Sequence, residues 1–535
     1  MLFNGKIDNR VTEFIPCSRI ILADNISSPD FFIGRTCYQA REILSENDYR
    51  IFQEGSRIVI DFGKELSGGI RIVSGKLKGK IRLRFGESVS EACGEPNQAH
   101  AIHDTVLDVP ALGILEYGNT GFRFVCIDTV EKLQIVNILA VARYRNIEKS
   151  GTFVSNDKLL NRIFDTSVHT VHMCMQDYLL DGIKRDRLVW MGDMNPEIAV
   201  INMIFSDTSI VPETMDFLRD NTQLPQMMNT LSSYSLWWII CQWEYYLHQG
   251  NLKYLAEQHN YLKGLVKIFV NCIDENGKEK MPDLRFIDWP TKKDTDAVHA
   301  GLQALLTMAF HAAKKIAAAL NDEDLFNICS KTCAVLDKFT APKTSRKSAN
   351  ALLALAALRD VKEVNRNILS VKPEYDVSTF MSYYILEARC RADDVAGALD
   401  FMRKYYGAML NLGATTFWED FDFTWTENSF GIDSLPVVGK NDIHADFRNF
   451  CYKGLRHSLC HGWSSGPAAI LLRHLTGFKI LEPGCRKISL APVLAGLEYY
   501  KCTIPTPYGI IEIENSENAA EPVIKTPKHI TLIKK

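Results

Sequence analysis

The chain has 535 residues, of which 46% are hydrophobic and 23% charged, and these proportions are ordinary for globular protein. This length predicts two to four domains, or one large catalytic domain with accessory domains. The net charge of −3 and the isoelectric point near 6.5 argue against a nucleic-acid or membrane-surface partner, because both need clustered positive charge. No run of about eighteen apolar residues occurs, so no transmembrane helix is predicted.

The N-terminus and the cysteines bear on the compartment. The first residues, MLFNGKIDNRVTEF, lack the charged-then-apolar plan of a signal peptide. The fourteen cysteines are scattered and form no CxxC pairs, which favours buried thiols in a reducing environment. We therefore expect a cytoplasmic or periplasmic protein, and the sequence gives no indication of its oligomeric state.

Residues 1–150 have the character of β-structure. Short runs alternate apolar and polar residues with a period of two and end in glycine turns. They cover residues 57–64, 69–73, 80–86, 122–127 and 133–138. This pattern predicts an antiparallel β-sandwich domain.

From residue 151 to 475 the apolar period changes to three or four. Asp157 belongs to a good helix N-cap cluster, and Leu160, Ile163 and Phe164 follow at helical spacing. About ten to twelve helices fit this span, and the loops between them carry tryptophans and acidic residues. An (α/α)6 barrel accounts for this pattern, whereas the alternative, a helical solenoid, normally shows a sequence repeat. Residues 476–535 return to β-structure and predict a small C-terminal β domain.

The segment 181–193, DGIKRDRLVWMGD, has six charged residues in thirteen, about twice the proportion in the whole chain. Its acids are Asp181, Asp186 and Asp193. Helical patterns lie on both sides, so the charges are expected at a junction between helices, where side chains can converge on a pocket. Acids held beside arginine and tryptophan suit acid/base chemistry on a sugar.

Two later segments provide further candidates. Trp418 precedes Glu419, and Asp288 precedes Trp289 and Pro290. Hydrolysis of a glycosidic bond needs two carboxyl groups, and aromatic rings beside acids commonly hold sugars. Each feature also has a structural explanation: an acid that pairs with Arg185, a solvated loop acid, or a helix stop at the proline.

Other motifs are weaker. His169 and His172 have HxxH spacing but no acid at the spacing of a zinc helix, so a packing role is favoured over metal binding. Cys460 and His461 are adjacent, and adjacent side chains on a helix point about 100° apart, so they are not expected to pair. No phosphate-binding loop is present. We therefore predict no metal and no cofactor.

These residues together resemble glycoside hydrolase family 78, the inverting α-L-rhamnosidases. The first segment is similar to the acid motif of that family, through Asp181, Arg185, Asp186, Trp190 and Gly192-Asp193. The resemblance continues, in the order of the family, through Asp288-Trp289, ATTFWE ending at Glu419, and CHGWS around His461 and Trp463. The phrases DFGKELSGGIRI and RLRFGE resemble the β-sandwich that precedes the barrel in that family.

The resemblance implies an (α/α)6 barrel and an inverting exo-glycosidase that removes terminal α-L-rhamnose. Asp186 would be the general acid and Glu419 the general base, with their carboxyls about 6.5–9.5 Å apart. The implied substrate-binding residues are Asp181, Arg185, Trp190, Asp193, Asp288, Trp289, Trp418 and His461, with Trp190 and Trp289 around the 6-methyl group. Better-known members have glutamate as the acid, so the shorter Asp186 would need closer backbone placement.

Three alternatives stay open. One is another glycosidase on the same barrel that acts on a different deoxy sugar or a uronide. Within the rhamnosidase interpretation itself, Lys184 and Arg187 are expected to face an acidic neighbour of the rhamnose, such as a uronic acid. Another is a glycan-binding protein without catalytic activity, which would keep the tryptophans but not need both Asp186 and Glu419. A helical scaffold would have no affinity for sugars.

Overall fold

The computed structural model describes residues 8–95, 103–447, 450 and 454–534. The N-terminal part is an antiparallel sheet in which β1, β8, β4, β7, β5 and β6 follow one another, while β2 pairs with β4 and β3 with β8. The strands are β1 Arg10–Pro16, β2 Arg19–Asp24, β3 Arg50–Phe52, β4 Arg57–Ser74, β5 Gly79–Gly86, β6 Asp104–Val109, β7 Ile114–Thr129 and β8 Leu133–Arg145. The expected N-terminal antiparallel β-structure is confirmed.

Strand β4 joins two runs that the sequence analysis separates. Its register against β7 shifts between Asp61 and Leu66 and again after Gly68. Gly68 has a φ of 152°, and a β-carbon there would lie 1.9 Å from the Val141 carbonyl oxygen, so only glycine fits. The bends let one strand bury apolar side chains along its whole length.

Helices make up most of the middle of the chain. A short helix, α1 Val89–Cys93, lies in the N-terminal domain. The others are α2 Lys158–Cys174, α3 Met194–Ile204, α4 Ile210–Asp220, α5 Ser232–Gln249, α6 Leu252–Glu257, α7 His259–Val270, α8 Thr295–Ala319, α9 Glu323–Leu336, α10 Lys347–Leu355, α11 Val361–Val364, α12 Thr379–Arg391, α13 Val395–Asn411 and α14 Pro467–Thr476.

Burial divides these helices into two kinds. Every residue of α3, and nearly every residue of α10 and α12, is buried. Along the chain they alternate with helices such as α4, α9 and α13, which bury one side. A helix that is buried on all sides must be surrounded by protein, whereas a helix that buries only one side borders solvent. The helices therefore form an inner and an outer layer.

Small β-elements complete the fold. β10 Ser429–Phe430 pairs with β11 Asn441–Asp442. At the C-terminus, β12 Lys479–Glu482, β13 Lys487–Leu490 and β17 Thr531–Lys534 form one sheet. A second contains β14 Tyr499–Thr506, β15 Gly509–Ser516, β16 Val523–Lys525 and β9 Thr152–Ser155. Strand β9 falls in the span expected to be helical, yet it pairs with β14. None of the described helices combines the length and apolarity that crossing a bilayer requires.

Candidate active site

The loop between α2 and α3 contains the charged segment and is closed by its own hydrogen bonds. The Asp181 N–H donates to the Leu188 carbonyl at 3.0 Å, and the Leu188 N–H donates to Asp181 Oδ1 at 2.9 Å. At its tip, Asp186 and Arg187 both have left-handed backbone angles, with φ of 52° and 50°. Non-glycine residues seldom adopt this conformation and are found in it at functional sites. The Asp186 side chain is 34% exposed.

Beside this loop is a cavity of about 160 Å³. It brings together seven of the ten site residues that the sequence analysis names: Asp181, Asp186, Trp190, Asp193, Trp289, Glu419 and His461. The rest of the lining is Asn229, Thr230, Leu231, Tyr234, Leu284, Phe286 and Trp463. Acids from distant parts of the chain and an aromatic wall thus meet at one cavity.

Arg185 connects the two candidate catalytic carboxyls. Its Nη2 lies 2.5 Å from Glu419 Oε2, and its Nη1 lies 3.1 Å from Asp186 Oδ1. Carbon–nitrogen bonds of this type are about 1.33 Å long, so the two carboxyl oxygens lie within about 8 Å of each other. This upper limit is compatible with the carboxyl separations of both retaining and inverting glycosidases. Arg185 is buried, and the cavity lining does not include it.

Glu419 is buried in the loop after α13. Its backbone N–H donates to the Ser458 carbonyl at 3.0 Å, and its Oε2 accepts from the Ser458 N–H at 3.1 Å. Burial raises the pKa of Glu419 to about 7, although Arg185 and the Ser458 N–H act in the opposite direction. A carboxyl with this pKa can exchange a proton near neutral pH, as a general acid or base must.

His461 lies among three carboxyls. Its Nε2 is 3.8 Å from Asp181 Oδ2, 3.9 Å from Asp193 Oδ2 and 3.8 Å from Glu419 Oε1. These separations exceed hydrogen-bond length, so the ring does not bond these carboxyls directly, and its Nε2 is left to bond a ligand hydroxyl in the cavity. Burial lowers the pKa of His461 well below its ordinary value, which leaves the ring neutral.

The pKa values of Asp181 and Asp193 are raised well above the ordinary range. Burial is the main cause for both, and neighbouring carboxyl charges add to it. Asp193 Oδ1 also accepts from the Tyr234 hydroxyl at 3.0 Å. Both acids thus favour the neutral form, in which a carboxyl can donate as well as accept hydrogen bonds.

Three named site residues do not line the cavity. Asp288 is buried, where it accepts from the Ser378 hydroxyl at 3.0 Å and from the Thr291 N–H at 3.1 Å. Trp418 is only 1% exposed and packs edge-on against Phe421, so the expectation that it contacts a sugar is not met. The third residue is Arg185.

The idea that Lys184 faces a uronic acid is wrong. Its ammonium is buried where the segment after β5 meets the helical part of the chain, 2.9 Å from Glu87 Oε2. Within the described residues, one group, Glu87, Glu91 and His444, has the spacing of metal ligands. Lys184 supplies the positive charge at that group, which lies outside the cavity lining.

Sequence reasoning missed several lining residues. Tyr234 lies near the start of α5, and Phe286 and Leu284 precede α8, without a local signal of function. Asn229 holds the acid loop: its Oδ1 accepts from the Met191 N–H at 3.1 Å, and its Nδ2 donates to the Val189 carbonyl at 2.9 Å. Trp463 belongs to the CHGWS motif, which was the available signal for it.

Comparisons with known proteins bear on the fold of the chain. Residues 148–331 match the family model described as the bacterial alpha-L-rhamnosidase 6 hairpin glycosidase domain. The expected resemblance to the rhamnosidase family is thereby confirmed, and residues 148–331 are similar to a six-hairpin glycosidase domain. A search of curated protein sequences found no match.

Three similar solved structures cover most of the chain. The GH78 family rhamnosidase of Bacillus sp. GL1 has a TM-score of 0.77 at 21% identity, over 92% of this chain and 55% of its own. The rhamnosidase from Klebsiella oxytoca with rhamnose bound has a TM-score of 0.69 at 19% identity, over 86% and 95%. The Streptomyces avermitilis alpha-L-rhamnosidase complexed with L-rhamnose has a TM-score of 0.70 at 16% identity, over 89% of this chain and 48% of its own. The chain thus spans about half the length of the first of these structures and nearly all of the second.

Proposed function

We propose that this chain, whose residues 148–331 carry a bacterial α-L-rhamnosidase six-hairpin glycosidase domain, is an inverting exo-glycosidase that removes terminal α-L-rhamnose. The observation that carries the proposal is the contact of Arg185 with both Asp186 and Glu419 beside a small cavity with an aromatic wall. The helices of residues 151–475 would form the (α/α)6 barrel around this cavity.

In the proposed reaction the two carboxyls act on opposite sides of the sugar. Asp186, at the exposed tip of its loop, donates a proton to the glycosidic oxygen as the bond to the anomeric carbon breaks. Glu419 accepts a proton from a water whose oxygen attacks that carbon from the other face. The products are β-L-rhamnose and the free alcohol, and the proton on Glu419 returns to Asp186 through solvent.

The lining supports a neutral deoxy sugar. Trp190, Phe286 and Trp289 offer apolar surface for a 6-methyl group, while Asp181, Asp193 and His461 offer partners for ring hydroxyls. Among the described residues, the lining has four carboxyls and no lysine or arginine. An anionic uronide would find no cation in this lining to offset the loss of its hydration, so the uronide alternative is disfavoured.

Arg185 has a different part in this proposal from the one that the resemblance implies. Because its guanidinium contacts both catalytic carboxyls, it positions them rather than the sugar. Asp288 supports the loop that carries Trp289, through its bonds to Thr291 and Ser378. Trp418 is left out of the binding set.

The test is hydrolysis of an aryl α-L-rhamnoside, with the product anomer followed by NMR. The wild type should release β-rhamnose first. Glu419→Gln should lower kcat by about 10²- to 10⁴-fold, the usual contribution of a general base. Asp400→Asn, at a 69% exposed carboxyl paired with Arg403, serves as the control and should retain activity.

Two outcomes would contradict the proposal. Initial release of α-rhamnose would show retention of configuration. Tight binding of rhamnose without turnover of any rhamnoside, unchanged in Asp186→Asn, would favour a glycan-binding protein.

A further inference from the structure

Behind the catalytic loop, the Lys184 ammonium is buried between the N-terminal domain and the helical domain. Its Nζ lies 2.9 Å from Glu87 Oε2 and 3.2 Å from Glu91 Oε1. It also donates to the carbonyl oxygens of Leu455 at 2.9 Å and His457 at 2.6 Å. Burial acts against the charge, yet Glu87 and Glu91 hold the pKa of Lys184 above its ordinary value.

The carbonyls that Lys184 holds belong to the segment that contacts Glu419. Ser458 follows His457 directly, and its N–H donates to Glu419 Oε2 at 3.1 Å. On the other side of Ser458, the Leu459 N–H donates to Glu87 Oε2 at 2.6 Å. The peptide units on both sides of Ser458 are therefore fixed by the same buried ion pair.

A histidine strengthens this arrangement. His444 Nε2 lies 2.9 Å from the His457 carbonyl oxygen, and its Nδ1 lies 2.7 Å from the Ser88 hydroxyl. Since a carbonyl only accepts, Nε2 carries the proton and Nδ1 accepts from Ser88. The His457 carbonyl thus receives two donors, one of them Lys184.

We propose that Lys184 is a positioning residue through which Glu87 and Glu91 of the N-terminal domain aim the Ser458 N–H at Glu419. The inference rests on the proposed function, because it assigns the purpose of the arrangement to the base of that reaction. Lys184 neither lines the cavity nor touches substrate. The N-terminal domain is, on this proposal, part of the catalytic apparatus rather than an accessory.

The decisive variant is Lys184→Met, which keeps the length of the side chain and removes its charge and donors. Losing one aligned hydrogen bond to a charged carboxylate should lower kcat by about 10- to 100-fold. The Kd for rhamnose, measured by calorimetry, should change by less than about threefold, because Lys184 does not reach the cavity.

The pH profile of kcat/KM distinguishes a role of Lys184 in positioning the Ser458 N–H from a general loss of protein stability. Glu419 faces Arg185, Asp186 and His461, and these remain in the variant. The Ser458 N–H lowers the pKa of Glu419, so displacing it should move the acidic limb of kcat/KM to higher pH. Glu87→Gln should shift the limb in the same direction by a smaller amount, and it decides the test if Lys184→Met does not fold.

Lys347→Met is the matched control. Lys347 is also buried and donates to two backbone carbonyls, those of Lys372 at 2.6 Å and Tyr375 at 2.7 Å, away from the cavity. It should lower the melting temperature without moving the pH limb.

The proposal is overturned if Lys184→Met and Glu87→Gln lower the melting temperature but leave kcat and the limb at wild-type values. A wild type inactive on all rhamnosides would refute the proposed function separately. The pH dependence of rhamnose affinity, which needs no turnover, would then report the shift at Glu419 and decide the positioning claim.

Discussion

Arg185 Nη2 lies 2.5 Å from Glu419 Oε2, and both side chains are buried. Two opposing influences therefore act on one carboxyl: burial favours its neutral form and the guanidinium its charged form. Burial prevails, because the pKa of Glu419 is about 7. A base with this pKa is ionised in only part of the molecules at neutral pH, so its surroundings control its activity.

Removal of Arg185 should move the pH profile upward. Without the cation the pKa of Glu419 rises further above 7, so the ionised base appears only at higher pH. Arg185→Met should lower kcat/KM at pH 7 by about 100-fold, with partial recovery toward pH 9. Arg403→Met is the matched control, because Arg403 also contacts two carboxyls, those of Asp157 and Asp400. A decrease in kcat/KM of Arg185→Met by the same factor at every pH would contradict this expectation.

Asp186→Asn should affect substrates according to their leaving group. An alkyl or sugar leaving group needs the proton, so kcat should fall by about 10²- to 10⁴-fold. A nitrophenyl group leaves without one, so its loss should be less than about tenfold. Glu419→Gln should lower both rates alike, since water activation is needed in each case. Equal losses in Asp186→Asn would assign Asp186 another role.

Asp181→Asn should stabilise the protein while it weakens catalysis. The pKa of Asp181 is higher in the folded state than in the unfolded state. The free energy that this group contributes to folding is therefore fully present at pH values below the unfolded-state pKa, and it is lost as the pH rises through the folded-state pKa. Asparagine does not titrate, and its carbonyl can still accept from the Leu188 N–H. In thermal melts from pH 5 to pH 8, the free energy of unfolding of Asp181→Asn should exceed that of the wild type by an amount that grows with pH and reaches about 1 to 2 kcal/mol. A constant difference would argue against it.

Trp289→Ala should act mainly on binding and specificity. The ring lines the cavity and packs edge-on against Phe286 at 5.1 Å between centroids. Its loss should raise KM by about tenfold and reduce the preference for α-L-rhamnosides over α-L-mannosides, which differ from them by a 6-hydroxyl. Each of Trp289 and Trp243 has a lysine over its ring, Lys292 at 4.7 Å and Lys315 at 5.5 Å, so Trp243→Ala is the control. Unchanged selectivity would remove Trp289 from the methyl-binding wall.

The sequence predicts the acids of the site better than its walls. Asp181, Asp186 and Asp193 stand out by local charge density, and Glu419 by its neighbouring tryptophan. Tyr234 and Phe286 carry no such signal, because only the packing of α5 against the segment before α8 brings them to the cavity. Trp418 was misjudged because neighbours in sequence need not face the same way, and the indole lies in the core beside Phe421.

Lys184 illustrates a further limit of sequence reasoning. Within a dense charged segment it looks like a ligand-facing cation, but its partners Glu87 and Glu91 lie about a hundred residues earlier in another domain. Neither the periodicity of apolar residues nor a local sequence motif predicts contacts between residues so far apart in the chain. Alternation, by contrast, predicts runs that lie within β4, β5, β7 and β8, and Gly68 lets two of these runs continue as the single strand β4. It did not predict β1, β2, β3 and β6, and β9 lies where helix was expected.

The pairing of β9 with β14 makes the polypeptide enter and leave its helical part through a single sheet. Residues that precede α2 and residues that follow α14 are hydrogen-bonded neighbours, from Thr152 opposite Thr503 to Ser155 opposite Tyr500. The two ends of the helical region from α2 to α14 are thus held together by the backbone hydrogen bonds of one strand pair. A mechanical force applied to β14 would therefore pass through β9 to α2, the helix that follows β9. The acid segment begins at Asp181, seven residues after α2 ends, so it would feel the same force.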